Sequence, residues 1–269
     1  MHIFEDKDLG NAGGFRSNDC IELLKQSDIV VTNPPFSLFR EYVAQLVEYD
    51  KKFVIIGNKN ALTYKEIFKL VKENKIWIGY TPMSTDLLFN TSANFQKEVL
   101  NGKKIGSGYK IIDGVVKLRS QSIWFANLGY KKRHEILETI HSYAKTPEKY
   151  PKYDNYDAIN VDKTNEIPMD YDGVMGVPIT FLDKHNPAQF EIVALGIVGS
   201  IDFTCNKKME ILDKNGNSTG KFTFNAKGTL YRKYNPNIDK TPSFKDCETG
   251  ELYSSIYARI LIQKRKDSK

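Results

Sequence analysis

Cysteine is scarce in this chain: Cys20, Cys205 and Cys247 are the three in 269 residues, far apart and without a CxxC pair. An odd, dispersed set excludes a disulfide scaffold and a cysteine-rich zinc site, and fits a reducing cytoplasm. The four histidines show no HExxH or other metal spacing, which argues against a metalloenzyme. No apolar run approaches the ~18 residues of a membrane span. The start, Met1-His2-Ile3-Phe4-Glu5-Asp6, has no basic segment leading into an apolar stretch, so no secretory leader is read there. Internal repeats and low-complexity tracts are also missing. What remains is 41% hydrophobic, 12% aromatic and 27% charged, the composition of a chain that buries a core.

Charge is unevenly placed. The whole carries 39 basic against 33 acidic residues, a net of +6. Residues 97–133 hold nine Lys/Arg against two Asp/Glu, 9 − 2 = +7, and residues 205–269 hold fourteen against seven, 14 − 7 = +7. Between them, residues 151–183 hold two against seven, 2 − 7 = −5. Two basic blocks flanking an acidic belt offer phosphate-facing surfaces, although Lys103, Lys104, Lys110, Lys117 and Arg119 taken singly read as ordinary surface charges. The run Lys131-Lys132-Arg133 is the better phosphate candidate, because three adjacent cations are harder to explain as scattered surface.

Hydrophobic periodicity predicts an α/β organisation in the first half. A glycine-containing opening, with Gly10, Gly13 and Gly14, reads as loop. Asn18 or Asp19 caps a short helix, with Cys20 in its core beside Ile21, Leu23 and Leu24. Asp28-Ile29-Val30-Val31-Thr32 reads as a strand covered on both faces. It stops at Asn33-Pro34-Pro35-Phe36, since prolines remove the amide donors that pairing needs. Ser37 caps a helix whose Phe39, Tyr42, Val43, Leu46 and Val47 recur at helical spacing. A second strand, Phe53 to Ile56, ends at Gly57-Asn58, and a helix runs from Tyr64 to Glu73. Strand, helix, strand, helix is the signature of parallel pairing, and ligands then bind beyond the carboxyl ends of the strands, where Asn33 and Asn58 fall.

Further on, Lys110 to Leu118 carries Asp113-Gly114 between β-rich halves and predicts a hairpin. Ile123 to Ala126 reads as a buried strand and His134 to Tyr143 as a helix. Residues 147–172 read as a long irregular connection with few apolar pairs. Short strands follow at Val177 to Leu182, Phe190 to Val198, Lys221 to Phe224, Thr229 to Tyr234 and Tyr257 to Gln263, before a frayed basic tail from Lys264. The expected division is a first domain over 1–146 and a β-rich region over 147–269.

Asn-Pro-Pro-Phe after a strand and before a helix has a specific chemical use. An exocyclic amine on an aromatic base is a poor nucleophile because its lone pair is delocalised into the ring. Two acceptors facing its hydrogens, the Asn33 side-chain oxygen and the Pro34 carbonyl, favour a more tetrahedral nitrogen aimed at an electrophilic methyl. Pro34 and Pro35 stiffen the loop, and Phe36 offers a face for stacking. Asp28 is better read as solvated or capping, Trp77 and Trp124 as core or rim, and His134, His141 and His185 have no catalytic spacing.

The run Ile29-Val30-Val31-Thr32-Asn33-Pro34-Pro35-Phe36-Ser37, with Leu38-Phe39-Arg40-Glu41 after it, resembles the EcoRI-type adenine-specific DNA methyltransferases. Phe15-Arg16-Ser17 followed by Cys20 to Leu24, Gly57-Asn58, and Gly176 to Leu182 extend the likeness through most of the chain. The resemblance implies a Rossmann-like methyltransferase sheet, S-adenosylmethionine as cofactor, and methylation of N6 of an adenine flipped out of double-stranded DNA, in a restriction-modification setting. It implies Asn33, Pro34, Pro35 and Phe36 as catalytic residues and Phe15, Arg16 and Asn33 as cofactor contacts.

Family members carry a glycine-rich cofactor loop after an upstream strand. Here 32 residues precede Asn33 and only Gly10, Gly13 and Gly14 are available, with Gly14 where an acidic residue is expected before Phe15. The expectation is an amino-terminally truncated chain with a partial cofactor pocket, and a monomer. Two alternatives stand beside it: an RNA or protein N-methyltransferase using the same loop, and a non-catalytic DNA-binding remnant.

Overall fold

The computed structural model describes residues 14–85, 87–204 and 206–266. Gly10, Gly13 and Cys205 lie outside the described residues. The chain divides into two compact units, one ending at Gly129 and the other beginning at Tyr130. The expected division at 147 falls inside the second.

In the first unit, helix α1 (Asn18–Gln26) precedes strand β1 (Ile29–Thr32), a 3-10 helix (Phe36–Leu38) and helix α2 (Phe39–Glu48). Strand β2 (Lys52–Asn58), a 3-10 helix (Lys59–Thr63), helix α3 (Lys65–Lys72) and strand β3 (Trp77–Ile78) follow. Then come β4 (Leu87–Asn90), α4 (Ala93–Leu100), β5 (Tyr109–Ile112), β6 (Val115–Ser120) and β7 (Ser122–Ala126). One sheet has the order β1-β2-β7-β3. β1 pairs with β2 in parallel, and β7 is antiparallel to both β2 and β3, so three strands run one way and one the other. A second sheet, β4-β6-β5, is antiparallel and contains the expected hairpin, with Asp113 at φ 49° and Gly114 at φ 78° in its two-residue turn.

Alternation along β2 explains the core. Phe53, Ile55 and Gly57 face one side, where Phe39, Val43 and Leu46 of α2 are buried against the sheet. Phe39 and Phe125 pack with ring centroids 5.0 Å apart. They also close on Gly57, where an added Cβ would lie 2.5 Å from Phe39 Cε2 and 2.8 Å from Phe125 Cε2.

Several local expectations are corrected. β1 is an edge strand, not one covered on both faces: Ile29 is 50% and Val31 69% exposed. Ser17, not Asn18 or Asp19, caps α1, its Oγ accepting from the Cys20 amide at 3.3 Å. α1 buries no residue, and Cys20 is half-exposed, so it is not a core position. Ser37 lies inside the 3-10 helix and caps nothing; α2 starts without a side-chain cap because that turn already satisfies its first amides.

The second unit carries β8 (Ile159–Asn160), β9 (Met175–Pro178), β10 (Phe190–Leu195), β11 (Lys208–Leu212), β12 (Ser218–Phe224), β13 (Leu230–Lys233), β14 (Phe244–Asp246), β15 (Leu252–Ile256) and β16 (Arg259–Lys264). They form sheets β10-β16-β9-β8 and β12-β11-β14-β15-β13. Of the helix expected over 134–143, only His134 is helical, as the end of a 3-10 turn, and residues 135–143 are not. The Asn186 amide donates to the His134 and Glu135 carbonyls, and Gln189 pairs with both the amide and the carbonyl of Leu137, so side chains take the groups a helix would use. The strand expected over Val177 to Leu182 ends at Pro178, and Ile179–Lys184 is a 3-10 helix. The connection over 147–172 is irregular but not poor in apolar contacts, since Tyr150, Tyr153, Ala158, Ile159, Val161 and Ile167 are buried. Nor is the tail frayed at Lys264, which ends β16; the Arg265 amide donates to the Gln189 carbonyl at 3.0 Å.

Two outcomes follow from this packing. Gly57→Ala should cost about 1–3 kcal/mol in urea unfolding, because the Cβ must push Phe39 or Phe125 off its position. His185 is buried with Nε2 3.0 Å from the Phe190 carbonyl, and burial lowers its pKa from 6.5 to about 4. Above pH 6.5 the ring is neutral in both states. As pH falls toward 4 the unfolded chain takes up the proton first, so stability is lost across that window, on the order of 3 kcal/mol. Thermal melts from pH 7 to 4 should therefore fall less steeply for His185→Gln than for the unaltered chain.

Candidate active site

The site grows from the place where β1 can no longer continue. Pro34 and Pro35 have no amide hydrogen, so parallel pairing to β2 stops at Thr32, opposite Ile55. The turn that follows is closed by the Leu38 amide donating to the Pro35 carbonyl at 3.0 Å, and by Phe39 donating to Phe36. It therefore uses the carbonyl of Pro35 and not that of Pro34. α2 is then anchored by its buried Phe39, Val43 and Leu46. Within the loop Pro34 is buried, Asn33 and Pro35 are exposed, and Phe36 is 41% exposed.

Two cavities meet at this loop. The first, of about 510 Å³, is bounded by Asn33, Pro34 and Pro35 together with Phe15, Leu23, Val30 and Tyr42. Its wall is mostly apolar. Phe15 stands edge-on to Tyr42, ring centroids 5.2 Å apart, and its carbonyl accepts from the Gln45 amide at 3.2 Å. Burial, with Cys20 nearby, pushes the Tyr42 phenol above its ordinary pKa, so the hydroxyl stays protonated at neutral pH. The second cavity, of about 310 Å³, is bounded by Phe36, Ser37, Phe39, Asn58, Asn60, Ala61 and Tyr64. Asn58 Oδ1 accepts from the Asn60 amide at 2.9 Å, which caps the turn after β2. Arg40 lies over the Tyr64 ring, 5.4 Å from its centroid.

Among the residues singled out in the sequence, the structure brings Phe15, Asn33, Pro34 and Pro35 onto one cavity and Phe36 onto the other. Arg16 borders neither: it sits over the Phe15 ring at 4.8 Å and pairs with Glu41 of α2 at the surface. Lys131, Lys132 and Arg133 belong to the other unit and form a 3-10 helix ending at His134. Arg133 is only 8% exposed, and burial lowers its guanidinium pKa to about 10, so it is not available as a phosphate contact. Lys131 is exposed and Lys132 half-exposed.

Sequence reasoning passed over Asn60, Tyr64 and Tyr42. Asn60 and Tyr64 follow β2 as Phe36 follows β1, so the rule that ligands sit beyond strand ends would have found them had it been applied past Asn58. Among the described residues, no group of His, Cys, Asp and Glu could hold a metal ion, and no helix is long and apolar enough to cross a membrane.

Comparison with known proteins finds relatives of this chain. The chain is 51% identical over 194 residues to the type II methyltransferase M.EcoRI of Escherichia coli, covering 71% of this chain and 58% of that one. It is 44% identical over 189 residues to the type II methyltransferase M.MpnI of Mycoplasma pneumoniae, covering 69% and 57%. A similar protein in Mycoplasma genitalium, the type II methyltransferase M.MgeORF184P, is 43% identical over 197 residues, covering 71% and 59%. The chain thus spans less than three fifths of the length of these curated relatives. No solved structure matches it significantly. The family model described as adenine-specific methyltransferase EcoRI matches residues 2–265, and the chain belongs to that family.

Proposed function

We propose that the chain acts as a DNA adenine N6-methyltransferase of restriction-modification type, using S-adenosylmethionine. The observation that carries this reading is the position of Asn33-Pro34-Pro35-Phe36 between two cavities, with Asn33 exposed and Phe36 half-open. Methyl transfer needs donor and acceptor within reach of each other, and a loop that lines both cavities can touch both.

The first cavity fits the apolar parts of the cofactor. Phe15, Leu23 and Tyr42 would flank its adenosine, while Asn33 stands at the polar edge. None of the residues bounding that cavity is charged, so ion-pair partners for the amino-acid end are not among them. When bound, S-adenosylmethionine supplies an electrophilic methyl on a sulfonium and leaves as a neutral thioether. The chain's own work is at the amine. The Asn33 side-chain oxygen and the Pro34 carbonyl accept the two N6 hydrogens and turn the nitrogen lone pair toward the methyl. Phe36 stacks on the extruded adenine in the cavity that Tyr64, Asn58 and Asn60 also bound. The nitrogen gains the methyl and releases one proton to water, so no base of raised pKa is required.

On this reading the sheet β1-β2-β7-β3 is part of a Rossmann-like methyltransferase sheet, the β-rich region over 147–269 reads the target sequence in double-stranded DNA, and the working compartment is the cytoplasm. The free thiols of Cys20 and Cys247 are in keeping with a reducing environment.

Mass spectrometry of nucleosides from duplex DNA incubated with the chain and S-adenosylmethionine should detect N6-methyladenine. Asn33→Ala should lower the rate by about 100-fold or more, whereas Asn33→Asp, which keeps an acceptor, should retain part of it. Methylation of another atom, or an unchanged rate for Asn33→Ala, would overturn the assignment.

A further inference from the structure

Helix α3 begins on a residue that does little for it. Its N-cap is Tyr64, whose side chain makes no capping bond, where α1 and α4 use Ser17 and Ser92 to hold an early amide. Tyrosine suits that position poorly, because it has no short side-chain oxygen to offer the free amides. The backbone there is nevertheless fixed. The Tyr64 amide donates to the Ala61 carbonyl at 3.0 Å, the Tyr64 carbonyl accepts from Phe68 at 2.8 Å, and Ala61, Leu62, Ile67 and Phe68 are buried. Tyr64 itself is 37% exposed and bounds the cavity of about 310 Å³ that Phe36 also bounds. A residue that departs from the local rule and stands at a cavity points to a role outside its helix.

Arg40, in the first turn of α2, holds that ring. Its guanidinium lies 5.4 Å from the Tyr64 centroid, and its Nη1 lies 3.9 Å from Glu66 Oε1, so both contacts join the start of α2 to the start of α3. Phe36, Ser37 and Phe39, just ahead of Arg40 in the chain, bound the same cavity. Among the described residues the Tyr64 hydroxyl bonds to no protein group and no other aromatic ring packs on it, so Arg40 supplies the directional contact on the ring. A planar guanidinium is well matched to an aromatic face.

We infer that Tyr64 is a second stacking ring for the extruded adenine and that Arg40 is the positioning residue that holds it, a deepening that rests on the DNA-methyltransferase reading. An adenine turned out of a duplex loses its stacking on both faces. Phe36 replaces one partner and Tyr64 the other, from the turns that follow the neighbouring parallel strands β1 and β2. The cavity lies near the lower end of the volumes of ligand pockets and suits a single flat base. Stacking on an aromatic ring uses the π-face of the base, so Tyr64 raises the population of the extruded state without reading which base it is.

Steady-state methylation of duplex DNA and saturation-transfer NMR of deoxyadenosine, both with the full chain, test this. Tyr64→Leu should lower kcat on the order of 10-fold with KM for DNA little changed, since the base leaves the helix after the duplex has bound. Tyr64→Phe should restore most of that loss. Arg40→Gln should lower kcat by about 2- to 5-fold alone and by nothing further in the Tyr64→Leu background, because it acts through that ring. Transfer to the aromatic protons of the base should weaken in Tyr64→Leu and return in Tyr64→Phe. An unchanged kcat or equal transfer in Tyr64→Leu, or additive losses in the double variant, would contradict the inference. So would an Arg40→Gln variant that raises KM and flattens the salt dependence of DNA binding, which marks a phosphate contact instead. Failure here stays distinct from failure of the methylation reading. A chain that methylates at undiminished kcat in Tyr64→Leu loses only this assignment, and one that binds deoxyadenosine through Tyr64 without methylating DNA loses only the activity.

Discussion

Two consecutive prolines at the end of an edge strand force the chain to stop pairing and turn at once. Everything at the candidate site depends on how that turn is held. Pro34 is buried, Pro35 closes a 3-10 turn, and α2 follows within four residues. The turn cannot drift, because Phe39 is wedged against a glycine, Gly57, on the neighbouring strand. Phe36 and Asn33 sit on either side of the two prolines and share their placement. An exposed polar side chain and a half-exposed aromatic are both costly to hold rigid by themselves. Here the order comes from the packing of α2 on β2, so the exposed residues need no contacts of their own to stay in place.

That arrangement separates two chemical environments with a single loop. On one side Phe15, Tyr42 and the aliphatic residues of α1 and β1 make a wide apolar wall; on the other, Phe36 and Tyr64 bound a smaller space rimmed by two asparagine side chains. The asymmetry suits a reaction in which one partner brings mostly apolar surface and the other a flat aromatic with hydrogen-bonding edges. It also makes sense of the exposed Ile29, which borders the larger cavity and not a packed layer.

Local signals were legible and remote ones were not. The β-branched run of β1, the prolines that end it, the helical spacing of α2 and the Asp113-Gly114 hairpin are each decided by a few adjacent residues, and the structure has them. β3 and β8 are two residues long and pair with strands distant in the chain, at Phe125 and Ala126 for β3 and Met175 and Gly176 for β8. Residues 134–143 had helical spacing, yet the amides of Asn186 and Gln189, far along the chain, capture their backbone groups. Periodicity cannot register a competitor that arrives by tertiary folding. In the site itself, the motif pointed to Asn33 and Phe36, while the second cavity required knowing that the turn after β2 comes alongside.

Charge shows the same limit from the other direction. The two basic blocks have equal net charge in the sequence, and composition does not say what each cation does in the fold. In the carboxyl-terminal block, Lys207 donates to Asp154 at 3.1 Å and to Tyr253 at 2.7 Å, Lys233 pairs with Glu251, and Arg232 grips Asp239 through two bonds of 2.8 Å. Those cations are engaged in holding sheets together. Arg133, in the most conspicuous cationic run, is buried. Lys110, Lys117 and Arg119 are spread over two strands and look unremarkable in the sequence, yet the pairing register of β5 and β6 brings them onto one face. Which charges come to share a face is a property of register and not of composition.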